Sequence, residues 1–119
     1  MMIKGFNTFK VHVPHKSKRY WRVTIFDDQT DFDAFTETRR NYAMTVSPSI
    51  EIDDKNCHGD ICFTRRHFKR RHIAHESYHA VMFMQGEKPM TDKREEQMAH
   101  HLEHLIEEII RQGEPPCAS

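Results

Sequence analysis

Two rhythms of hydrophobic spacing divide this chain near residue 64. Before that point, short segments rich in β-branched and aromatic residues alternate with turn formers: Phe9 to Val13, Tyr20 to Phe26 (YWRVTIF), Ala43 to Val46, Ser49 to Ile52 and Asp60 to Phe63. Runs of this length and make-up predict strands. Pro14 with Lys16-Ser17-Lys18 breaks the first pair, and Asp53-Asp54-Lys55-Asn56, followed by Gly59, predicts a hairpin loop between the last two. Residues 30 to 41 fit a short helix capped by Thr30 or Asp31.

After Phe63 the period lengthens. No Gly or Pro interrupts Arg65 to Met84, and Ile73, Ala74, Tyr78, Val81, Met82 and Gln85 recur at threes and fours until Gly86. The cations at the front of this run oppose the helix dipole, which places the true start nearer Arg66 to Lys69. Thr91 or Asp92 caps a second helix, Lys93 to about Gln112, with an apolar stripe of Met98, Ala99, Leu102, Leu105, Ile106, Ile109 and Ile110; Gly113 then stops it. The fold class expected is α+β: a small, mostly antiparallel sheet followed by two helices. It forms one domain over residues 1–119, mainly strands over 1–63, two helices over 64–112 and an extended tail over 113–119.

Composition narrows the function classes. A chain of 119 residues with 37% hydrophobic content suits one small core. Its 18 basic and 18 acidic side chains cancel, so the overall balance calls for neither nucleic acid nor an anionic membrane. No apolar run approaches the roughly 20 residues needed to span a bilayer, and the N-terminus lacks a signal-peptide h-region. Cys57, Cys62 and Cys117 follow no CxxC spacing and read as free thiols of a reducing compartment. The expectation is a soluble, cytoplasmic protein without a membrane partner.

The chemistry concentrates in HIAHESYHAV, residues 72 to 81. His75 and His79, four apart on a helix, share a face and can offer imidazole nitrogens to one metal ion. Glu76 then lies beside the ion, placed to act as general base. One Zn2+ per chain would lower the pKa of its water to about 7 and make peptide hydrolysis feasible near neutrality. A catalytic zinc takes a third protein ligand, and Glu95 and Glu96 in the second helix are the candidates; on a helical wheel Glu95 points closer to the apolar stripe.

HExxH followed after a short connection by Glu96-Gln97-Met98-Ala99-His100 resembles the pattern of the gluzincin metallopeptidases, a Glu-x-x-small-polar run on a second helix. His100 stands where that family usually places Asp or Asn. The chain's size, the strands ahead of the motif and the connection of about fifteen residues look like the minigluzincins and small phage-type metallopeptidase-like proteins. The resemblance covers roughly residues 60 to 110. It implies a minimal zincin-like domain, Glu96 as third metal ligand beside His75 and His79, and a peptide or protein substrate laid along the edge of the strand at residues 60 to 63. Tyr78, off the ligand face, is expected in the core. His100, His72 and Tyr42 are conceivable oxyanion stabilisers.

Other readings stand beside this one. Glu96, His100 and His104 share a face and could form a rival metal site, although a solvated polar face accounts for them as well. Cys57, His58 and Cys62 match no familiar zinc spacing. The basic run Arg65–Arg71 reads mainly as a solvated face, with nucleic acid as the other use. Cys117 could fold back onto the zinc and make the enzyme latent. The alternatives to a peptidase are a zinc-stabilised binding or regulatory module and a metal-free nucleic-acid or protein adaptor.

Overall fold

The computed structural model describes residues 6–36, 43–46 and 55–113. Among them the chain is an α+β fold: β1 (Phe6–His12), β2 (Tyr20–Phe26), α1 (Gln29–Thr36), β3 (Ala43–Val46), β4 (Cys57–Thr64), α2 (Arg70–Gln85) and α3 (Asp92–Gly113). The strands form one sheet in the order β1-β2-β4-β3. Both flanking pairs are antiparallel, as expected, but the central pair, β2 with β4, is parallel. The predicted strand at residues 49–52 and the tail from residue 114 lie outside the described residues.

The parallel pair is buried on both faces. Trp21, Val23 and Ile25 of β2 and Ile61 and Phe63 of β4 join Ile73, Ala80 and Val81 of α2 and Met98, Leu105 and Ile109 of α3 in the main core. The alternate positions look the other way, where Phe26 and Cys62 pack with Phe32 of α1 in a smaller cluster. Fully burying a side chain such as Leu105 or Ile109 contributes about 2 kcal/mol over leaving it exposed.

On that second side, Arg22 Nε and Nη2 donate to the two oxygens of Asp60 at 2.6 and 3.0 Å. The register sets these residues directly opposite each other on the two parallel strands.

β4 begins at Cys57, inside the predicted hairpin loop. The register shifts between Tyr20↔Cys57 and Trp21↔Gly59, so His58 is the extra residue of a bulge, and Gly59 takes φ 149, which other residues rarely adopt. The turn formers at 55–59 thus start a strand as well as end a loop. Nor is β4 an edge, since β2 and β3 flank it; the expectation that residues 60–63 offer an open edge to a peptide is overturned.

Local signals set the helices. Asp28 Oδ1 accepts from the Asp31 amide at 2.9 Å, so α1 is capped by Asp28 and not by Thr30 or Asp31. Arg65–His67 form a separate 3₁₀ turn and α2 starts only at Arg70, with no side-chain cap. Phe68 interrupts the helix by turning its ring onto Phe63, centroids 5.3 Å apart. Gly86, at φ 60, ends α2 as predicted. Thr91 caps α3 by accepting the Arg94 amide at 3.1 Å. Gly113 is the last helical residue and not a stop beyond it; any Cβ there would collide with the Phe68 ring and Ile25. The Gly113 carbonyl accepts from Arg65 Nη1 at 3.1 Å, which sets a cation at the negative end of α3.

Asp60→Asn should lower the unfolding free energy by about 2–3 kcal/mol, less than a fully buried pair would because the Arg22 side chain is 35% exposed. Urea unfolding at an unchanged m-value checks it.

Candidate metal centre

Two faces of α2 divide the HExxH motif. Ile73, Glu76, Ser77, Ala80, Val81 and Gln85 are buried against the sheet and α3. His75 and His79 point outward with their Nε2 atoms 3.1 Å apart. Two nitrogens at about 2.0–2.1 Å from a tetrahedral zinc lie roughly 3.3 Å apart, so the imidazole pair already has ligating separation. Glu76, only 7% exposed, keeps a carboxylate oxygen 3.9 Å from His75 Nε2.

The expectation that Tyr78 packs in the core is overturned, since it is 54% exposed. It stands three residues after His75 and four before Met82, on the outer face. The predicted stripe of α2 mixed the two sides: Ile73 and Val81 face the core, while Ala74, Tyr78 and Met82 form an outward row.

Glu96 is not brought to the histidine pair. Its carboxylate is exposed and lies 3.3 Å from His100 Nε2, and Glu95 is exposed too. Among the described residues no three His, Cys, Asp or Glu side chains are grouped so as to hold an ion. The two imidazoles therefore fit zinc, and a third protein ligand is not in place. Packing explains this. Burial of Met98, Leu105 and Ile109 fixes the rotation of α3, and residue 96, some 200° from residue 98 on the wheel, falls opposite.

The rival set is not assembled either. His104 Nε2 donates to the His12 carbonyl at 3.0 Å and its ring lies 4.6 Å from His15, while His100 stays with Glu96. Cys57 and Cys62 stand five residues apart on one strand, about 16 Å, and burial, followed by the nearby Asp60 charge, pushes the Cys62 thiol far up. Of the oxyanion candidates, His72 has a buried Nε2 with no hydrogen-bond partner among the described residues. His100 is exposed, and Tyr42 and Cys117 lie outside the described residues. In the basic run, Arg65 is taken up by Gly113 and lies 3.8 Å from Asp27; Arg66, Lys69, Arg70 and Arg71 are exposed.

One grouping had no sequence signal. Arg19, His58, Lys88, Arg94 and His101 line a single cleft although they span more than eighty positions of the chain. No protein-family profile, curated protein or solved structure matches the chain. Among the described residues no helix is long and apolar enough to cross a membrane.

Burial first, then the charges of Arg19 and His101, holds His58 below the usual histidine pKa; burial and then Arg94 do the same to His101. The folded chain therefore binds fewer protons than the unfolded one just below pH about 6.5, so stability is full above that pH and falls as acid is added. The urea midpoint should drop between pH about 7.5 and 5.5, and His58→Gln with His101→Gln should flatten that slope.

Proposed function

We propose that this chain is a zinc-dependent, metallopeptidase-like hydrolase of the HExxH type with a minimal zincin-like fold. The 3.1 Å separation of the His75 and His79 nitrogens, with the buried Glu76 carboxylate beside them, carries the reading. When bound, zinc would supply Lewis acidity, polarising a scissile carbonyl and acidifying a water. Glu76 receives the proton of the attacking water and returns it to the leaving amine. Its burial keeps the carboxylate close to the pair and limits competing solvent. His72 lies one turn before Glu76, and its buried Nε2, without a hydrogen-bond partner among the described residues, would have to turn outward to serve as oxyanion donor.

The third ligand in this reading is Glu96, with Glu95 the alternative. Since neither carboxylate joins the pair in the structure, metal content of the Glu95→Ala and Glu96→Ala proteins decides between them. An extended peptide would add to β3, the sheet edge packed against α2.

Exposed Tyr78, Met82 and Phe83 beside the histidines favour a second reading, a zinc-stabilised binding module. Elemental analysis and peptide turnover separate the two. The hydrolase should carry about one zinc per chain, lose it in His79→Ala, and keep it in Glu76→Gln while turnover falls about 10²–10⁴-fold. Zinc retention with no turnover in the wild type would leave the module; no zinc even when it is supplied would sink both.

A further inference from the structure

The cleft between the β1–β2 turn, the start of β4 and the α2–α3 corner has a volume of about 420 Å³. That is within the range of small-ligand sites. Arg19, Lys88 and Arg94 converge on it with His58 and His101, and among the described residues no acidic one lines it. None of the three cations makes an ion pair among the described residues. This local excess stands out in a chain whose charges sum to zero. Arg94 is held in place, donating to the Gln85 side chain and, at 3.4 Å, to the Met84 carbonyl. Phe83, Met84 and Met98 provide an apolar wall.

We infer that this cleft is a specificity pocket that receives an acidic side chain of a peptide substrate, its carboxylate met by Arg19, Lys88 and Arg94. Three features select this occupant. Cations that make no ion pair among the described residues and line one cleft ask for an anion. The apolar wall asks for an organic body attached to it, which inorganic phosphate lacks. Finally, Phe83 belongs to both the cleft and the exposed face of α2, four residues after His79, so a chain crossing the histidine pair reaches the cleft after one helical turn. Burial first, and then the charges of Arg19 and Arg94, favour the neutral forms of His58 and His101.

The inference rests on the hydrolase reading for calling the ligand a substrate, but binding can be measured without turnover. Trp21, the chain's one tryptophan, lines the cleft and stacks on His58 with centroids 5.6 Å apart, so its fluorescence reports occupancy. Titrating the metal-free His79→Ala protein with N-acetyl-Phe-Glu-amide should give a saturable change. The Gln counterpart should bind at least about tenfold more weakly. Arg19→Glu with Lys88→Glu, both at exposed positions, should remove the preference while leaving the melting temperature within a few degrees of the parent. Equal affinity for the two peptides overturns the inference, as does a response to pyrophosphate with none to the Glu peptide. Preferential binding without hydrolysis by the wild type sinks the hydrolase reading alone, and equal cleavage of longer Glu and Gln peptides sinks the pocket alone.

Discussion

A parallel strand pair buried on both sides must satisfy two cores with one register. In β2 and β4 that register aligns Val23 with Ile61 and Ile25 with Phe63 toward the helices, and Arg22 with Asp60 and Thr24 with Cys62 toward the other side. Slipping one strand by a residue would put an arginine or aspartate into the helix-facing core and leave a buried charge unmatched, a cost of several kcal/mol. The Arg22–Asp60 pair therefore acts less as net stabilisation than as a restriction on alternatives. Most of what lies around the candidate sites inherits its position from this register. The bulge at His58 and Gly59 opens one end of β4 toward the cleft, and the other end of β4 delivers the chain into α2.

The same logic sets the rotation of α2. A helix that displays two histidines outward and holds the intervening glutamate inward tolerates little rotation, because one residue of slip turns it by 100°. Such a turn would move His79 toward the sheet or expose Glu76. Ile73, Ala80 and Val81 in the core fix the angle, and Gly86 fixes where the helix ends. The late start, forced by Phe68 packing on Phe63, keeps Arg65 outside the helix, free to reach the C-terminus of α3. Phe68 thus lies between Phe63 of the sheet and Gly113 at the end of α3.

Much of this was legible in the residues. The period-two runs gave β2 and β3 their full extents, and the threes and fours gave α3 almost to the residue. The failures share a cause, which is that a local signal admits two tertiary outcomes. Gly59 marks a turn or a bulge, and only pairing with β2 decides. Tyr78 and Met82 match a helical stripe as well as Ile73 and Val81 do, and only the position of the sheet says which stripe is inward. The cleft was invisible because its cations come from a turn, a loop and a helix with no pattern joining them.

Charge is sorted in space although it cancels in sum. Along the outer face of α3, Glu96 and Glu103 lie beside His100. Arg94 and His101, on the side of the same helix nearer the core, border the cleft. Since 96, 100 and 103 follow one another at fours and threes while 94, 98 and 101 do the same on another face, the helical period itself keeps the carboxylates out of the cleft. An acid on the 94–98–101 row would neutralise Arg94 and relax the positive field, whereas acids on the 96–100–103 row face water and are largely screened beyond about 8–10 Å at physiological salt. The separation lets a neutral protein keep a cationic recess next to its histidine pair without the self-repulsion that a strongly basic chain would carry.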